Sequence, residues 1–214
     1  MQRLRLKFGR GVDVRFISHL DTMRCWERVF RRAHIPIEYT LGFTPHPRLT
    51  TAAPLAVGFT SSAELVDVWL RKWIPPAAVK MMVQHHLPKG FTLSDVEEVP
   101  VGAPSLQSIL TSARYACVAH HPEAPEAVQL AVENFLSSDS VIFEFQRRDK
   151  LHSQDIRPLV NEVIVEGISG STYRVELDVR LAQDGSVRPE HVLAALGFSQ
   201  PADSIHRVCL SWKP

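Results

Sequence analysis

Six side chains in the first fifty residues have the types and spacing that phosphate chemistry uses: His19, Asp21, Arg24, Arg28, His46 and Arg48. Residues 21, 24 and 28 stand three and four apart, so on a helix they share one face near its start. A helix N-terminus favours anions, and guanidiniums beside it add donors matched to a phosphate. If the loop carrying His46 folds over that end, a phosphodiester meets arginines and two imidazoles. Imidazoles titrate near neutrality, at about pH 6.5, and can move protons in RNA cleavage. Each residue also has a plainer use. His19 can extend a helix cap, Asp21 can pair with Arg24 or complement the helix dipole, and His46 can hydrogen-bond its own loop.

Other chemistries lack their motifs. Gly9-Arg10-Gly11 has neither the third glycine nor the Lys-Ser/Thr ending of a phosphate-cradling loop, and no Gly-x-Ser-x-Gly elbow occurs. Cys25, Cys117 and Cys209 are too far apart to supply the thiolate triplet of an iron–sulfur cluster, and their odd number argues against a disulfide scaffold. His85-His86 and His120-His121 are sequence neighbours, and neighbours on a helix or strand face different ways. No metal or cofactor site is therefore expected.

The elements that must position these residues are legible from periodicity. Residues 3–8 alternate basic and apolar, as in a strand with one face in a core. Ser18-His19-Leu20-Asp21 has capping-box spacing, and Leu20, Met23, Trp26, Phe30 and Ala33 form a helical stripe. Arg24, Arg28, Arg31 and Arg32 occupy the other face, and Pro36 ends the helix. A short strand is expected at 37–40, then a proline-stiffened loop at 42–48. Strands at 63–71 and 91–99 flank a helix over 77–86.

The stretch 102–112 reads as a linker, with Leu106, Ile109 and Leu110 hinting at a helical turn. A second series follows: strand 115–120, helix 125–136, strands 141–146 and 173–181, helix 189–196 closed by Gly197, and strand 205–212. The order strand–helix–strand–strand–helix–strand, twice over, is the split β-α-β pattern. The expected fold is α+β, with two tandem ferredoxin-like domains of antiparallel sheet at 1–101 and 112–214, the second carrying an insertion near 147–168.

Composition sets the outer bounds. The chain has 214 residues, 45% hydrophobic and 22% charged, with a formal net charge of +1, as in an ordinary globular protein. No apolar run reaches the roughly 18 residues of a membrane span, and the first residues lack a signal-peptide core, so a soluble cytoplasmic protein is expected. The near-neutral total conceals an asymmetry. Residues 1–50 hold ten Lys/Arg against four Asp/Glu, and the rest hold fourteen against nineteen. Such a basic excess makes a face that attracts polyanions, or a solvated helix surface with ordinary ion pairs.

Three stretches carry a family resemblance: Phe16-Ile17-Ser18-His19-Leu20-Asp21, Arg31-Arg32-Ala33-His34-Ile35-Pro36 and Gly42-Phe43-Thr44-Pro45-His46-Pro47-Arg48. They resemble an uncharacterised bacterial family, the radical-SAM-linked domain of unknown function, found free or fused C-terminally to radical S-adenosylmethionine (SAM) proteins. Leu55-Ala56-Val57-Gly58 with Ser61, Ser62 and Glu64 fits as well, as does Asp155-Ile156-Arg157-Pro158-Leu159. The resemblance thereby adds Glu64, Asp155 and Arg157 to the candidate binding residues. Thr44 stands where that family usually has Asn, and Arg48 where Lys is common.

The resemblance implies a partner more than a reaction. It points to a substrate-binding module for a separate radical SAM protein, with RNA or tRNA as the first substrate class. Two alternatives remain beside it: a protein-interaction domain for that partner without RNA, and a metal-independent endoribonuclease using His19 and His46. The tandem arrangement is also similar to that of CRISPR repeat-processing endoribonucleases, a likeness of fold alone.

Overall fold

The basic–apolar alternation of residues 3–8 forms β1 (Gln2–Arg10) in the computed structural model, which describes residues 1–147, 150–182 and 185–213, with the backbone alone at 147 and 182. The fold is α+β with mostly antiparallel pairing, eleven strands and five helices among the described residues. It divides into two compact units after Leu110, inside the stretch expected to be a linker. No helix among the described residues is long and apolar enough to cross a membrane.

In the first unit, β1 is followed by α1 (His19–Arg32), β2 (Leu49–Thr51), β3 (Thr60–Leu70), α2 (Pro76–Gln84), β4 (Phe91–Val99) and the short α3 (Leu106–Ile109). The strands lie in the order β4–β1–β3–β2, every pair antiparallel. Leu4, Leu6 and Phe8 face the helices, and Trp26, Val29 and Phe30 of α1 pack on them with Val79 and Val83 of α2. Phe8 meets Trp26 edge-on with centroids 4.9 Å apart, a favoured aromatic geometry. α1 stops before Pro36 is reached. His34 takes the left-handed conformation (φ 52°), and Ile35 N–H donates back to the Phe30 carbonyl at 3.0 Å.

One expectation for this unit needs correction. Residues 37–40 form only isolated bridges, Ile37 to Leu70 and Tyr39 to Pro47, and the strand paired along β3 is β2. The chain doubles back on itself here, Arg48 N–H donating to the Glu38 carbonyl at 2.8 Å, while Pro36 and Pro47 remove ladder donors. On the basic side of β1 Lys7 is exposed, but Arg3 and Arg5 are not. Arg3 and Arg5 are 1% and 9% exposed, and both grip Asp67 of β3, which is 0% exposed. Arg3 also donates to the carbonyls of Ala103 and Pro104, so the chain leading into α3 covers this face.

The second unit contains β5 (Leu110–His120), α4 (Pro125–Ser137), β6 (Ile142–Arg147), β7 (Lys150–Asp155), β8 (Val160–Ser169), β9 (Thr172–Ala182), β10 (Gly185–Ser186), α5 (Pro189–Ala195) and β11 (Ser204–Trp212). Its order is β8–β9–β5–β11, with β10 extending the end of β9. Tyr173, Val175, Leu177 and Val179 of β9 share a buried face with Ala113, Tyr115, Cys117 and Ala119 of β5. Val128, Val132 and Phe135 of α4 and Val192 and Leu193 of α5 are buried in the same unit. Burial pushes the Cys117 thiol up to about 12, with the Glu190 charge adding to it, so it is an inert core residue.

Here the expected strand 141–146 and insertion 147–168 exchange roles. β6 pairs with β7 in a separate two-stranded hairpin, from Ile142 opposite Asp155 to Arg147 opposite Lys150. The sheet position beside β9 belongs to β8, which lies where the insertion was expected. β6 alternates Phe143 and Phe145 with polar residues and keeps them half-buried, whereas β8 has the apolar run Val163-Ile164-Val165 and buries Val160 and Val163 against the sheet.

Candidate polyanion-binding site

The start of α1 is held in place by residues before it. Arg10, buried, donates from Nη2 to the carbonyls of Val14 and Ile17 at 3.2 and 3.1 Å, fixing the turn that leads into the helix. Gly11 N–H donates to the Gly90 carbonyl at 2.8 Å. Gly90 has φ +90°, and a Cβ there would lie 2.9 Å from Val14 Cγ1, so only glycine lets the two turns touch.

Ser18 caps the helix, its Oγ accepting from Asp21 N–H at 3.1 Å and donating to the Asp21 carboxylate at 2.7 Å. That hydroxyl, followed by Arg24, holds the Asp21 carboxyl below the usual carboxylate range. A group depressed in this way stabilises the fold above its unfolded pKa and loses that contribution as pH falls through the folded one. Ser18→Ala is expected to cost about 1 kcal/mol in urea melts near neutral pH, and less once Asp21 is protonated.

Arg24, Arg28, Arg31 and Arg32 lie exposed along the outer face of α1, as expected. Asp21 pairs with Arg24 at 3.3 Å, both exposed, and such a pair contributes little stability. Among the described residues Arg28, Arg31 and Arg32 have no carboxylate partner within ion-pair distance. The Arg28 charge opposes the burial that pushes the Cys25 thiol up. Apolar side chains border the stripe at its N-terminal end: Val12, Phe16 and Leu20 are exposed, and Gly58 N–H donates to the Arg15 carbonyl at 2.7 Å, bringing exposed Val57 alongside. The Arg15 guanidinium lies 4.7 Å from the Phe16 ring centroid.

The remaining candidates are not gathered there. His46 closes its loop through the main chain, N–H to Thr40 Oγ1 at 3.0 Å and carbonyl from Thr40 N–H at 2.9 Å, with Leu41 and Phe43 fully exposed at the tip. Among the described residues neither the His46 nor the His19 imidazole contacts the other, Arg24 or Arg28. Arg48 lies over Trp69, its Cζ 4.5 Å from the indole centroid, and Arg3 lies over the same ring at 4.8 Å. Glu64 is buried on β3 opposite Phe8.

Asp155 and Arg157 belong to the second unit and bind its backbone. Asp155 accepts from the N–H groups of Val141 and Arg157 at 2.9 and 3.1 Å, which holds its carboxyl low. Arg157 donates to the Leu136 carbonyl at the end of α4 from Nε and Nη2, at 3.1 and 2.8 Å, and to the Val160 carbonyl at 2.8 Å.

The second histidine pair is likewise accounted for. His121 accepts from Glu123 N–H at Nδ1 and faces the Leu196 carbonyl through Nε2, while His120 pairs with Asp203 at 3.0 Å. Among the described residues no three His, Cys, Asp or Glu side chains are placed to hold a metal ion. Two features are not legible in the sequence: the buried Arg3–Arg5–Asp67 group, and a ring-lined cleft in the second unit. The Phe143-x-Phe145 alternation is the visible trace of the cleft.

The chain belongs to the bacterial family described as "Uncharacterized protein conserved in bacteria (DUF2344)", which it matches over residues 3–189. No curated protein matches it. Among solved structures it is similar in fold to a chain of a Cbf5–Nop10–Gar1 complex, with TM-score 0.53 and 10% identity, covering 96% of this chain and 47% of that one. Chains of an archaeal box H/ACA sRNP Nop10–Cbf5 complex and of an H/ACA RNP bound to a substrate RNA containing 2′-deoxyuridine align at TM-score 0.47, again at 10% identity. The chain thus spans about half the length of the chains it matches.

Proposed function

From that family and the geometry of α1, we propose that the protein is a substrate-binding module for RNA or tRNA that works in the cytoplasm with a separately encoded radical SAM enzyme. The observation that carries RNA is the stripe of Arg24, Arg28, Arg31 and Arg32, set on a fixed helix whose carboxylates are the exposed Asp21 and the half-buried Glu27. Closely spaced guanidiniums bordered by the exposed Phe16 ring suit phosphates and unstacked bases. The likeness to a chain of the Cbf5–Nop10–Gar1 complex, at 10% identity, speaks for the fold alone. The radical SAM partner rests on the motif resemblance. Each unit is read as a ferredoxin-like platform, a reading supported by the strand orders β4–β1–β3–β2 and β8–β9–β5–β11.

Binding is favoured over cutting because neither His19 nor His46 has a group to orient its ring among the described residues. A second reading, docking of a protein partner without RNA, is favoured by the exposed apolar set Val12, Phe16, Leu20 and Val57.

Salt titration of tRNA binding separates the two. Three or four phosphate contacts should weaken affinity roughly 40- to 150-fold between 50 and 200 mM salt, through counterion release. The RNA should be recovered intact in chelator. A salt-independent affinity, or no RNA binding beside capture of a protein, would overturn the reading, and cleavage lost in His19→Ala or His46→Ala would favour the nuclease.

A further inference from the structure

The β6–β7 hairpin presents a ladder of near-parallel rings. Phe145 stands opposite His152 in the hairpin register, their rings 5.7 Å apart and 18° from parallel. His191 of α5 lies 4.5 Å from Phe145 on a 35° tilt and 5.0 Å from Phe143 at 28°. Gln154 Nε2 donates to the Ser186 carbonyl at 3.3 Å, tying the hairpin to β10. These elements enclose an open cleft of about 590 Å³, which Phe145, His152, Ser153, Ser186, Arg188 and His191 help to line. That volume suits a small organic ligand. None of the described lining residues is acidic and Arg188 supplies a cation, while the charge of Glu190, next to His191 in the chain, also acts on that imidazole.

We propose that this cleft binds one nucleotide, its base stacked against the Phe145, His152 and His191 rings and its phosphate held by Arg188. Flat aromatic faces hold any base through its π-surface, while Ser153, Ser186 and the side-chain amides offer hydrogen bonds to its edges. A purely apolar ligand would leave those polar groups unmatched, and inorganic phosphate alone would leave the rings unused. The cleft lies wholly in the second unit and does not depend on the α1 stripe. The same chemistry is offered by a free mononucleotide and by an unpaired nucleotide within RNA.

The full chain is titrated with AMP, UMP, inorganic phosphate and a single-stranded RNA pentamer, read by calorimetry and by the NMR signals of the His152 and His191 ring protons. Both nucleotides should shift those protons through ring currents, and phosphate should bind more weakly. Phe145→Leu, which keeps apolar bulk but removes the ring, and Arg188→Gln, an exposed change, should each weaken AMP about tenfold. A pentamer bound more tightly than AMP with the same histidine shifts assigns the site to RNA, and equal affinity assigns it to the free nucleotide. R24E/R28E should leave AMP binding intact, so that loss of tRNA affinity there tests α1 alone. Unshifted histidines, phosphate bound as tightly as AMP, or unchanged affinity in Arg188→Gln would overturn the proposal.

Discussion

Asp67→Ala is expected to destabilise the first unit by about 3–5 kcal/mol, because it leaves two buried guanidiniums without their shared counter-charge. Asp67 accepts from Arg3 Nε at 3.0 Å and from Arg5 Nε and Nη2 at 2.9 and 3.2 Å, with both guanidiniums largely out of water. The carbonyls of Ala103 and Pro104 satisfy other Arg3 protons but bring no formal charge. Whole domains are stable by about 5–15 kcal/mol, so the loss takes much of the margin. Urea melts should show a lower midpoint at an unchanged slope. The triple change Arg3→Met, Arg5→Met, Asp67→Leu removes both signs of charge together and should cost much less than Asp67→Ala alone. If Asp67→Ala costs under about 1 kcal/mol, the group is better solvated than its burial implies.

R24E/R28E should abolish most RNA affinity while leaving the melting temperature almost unchanged. Each reversal removes two charges, taking the formal net charge from +1 to −3. Losing two phosphate contacts should weaken binding roughly fifty- to hundredfold at 100 mM salt and flatten the logarithmic salt dependence by about two. Stability is spared because both side chains are exposed and hold no buried partner; the main structural cost is repulsion from Asp21, a few tenths of a kcal/mol. Fluorescence anisotropy with labelled tRNA, beside thermal melts, reads both effects. Unchanged affinity would remove α1 from the interface, and a large fall in melting temperature would make the arginines structural.

Local interactions make α1 readable from the order of its residues. The Ser18–Asp21 cap and the arginine stripe rest on contacts within three or four residues, which the spacing of side chains states directly. The strands are readable for the same reason, through period two. Which strand joins which is not. β6 alternates more regularly than β8, yet it is β8 that packs on β9 and joins the sheet, leaving β6 and β7 as a hairpin. Nor does alternation say whether the polar face of a strand meets water. Arg3 and Arg5 find Asp67 more than sixty residues away, and their burial depends on chain beyond residue 100 passing over them. The ring cleft has the same origin: Phe145, His152 and His191 have no common spacing, and a hairpin folded against α5 brings them together. Sequence alone determined the helices, most of the strands and the basic face, because neighbouring residues form them. Tertiary structure alone decided the strand order, the buried charges and the cleft, because each depends on burial shared by segments distant in the chain.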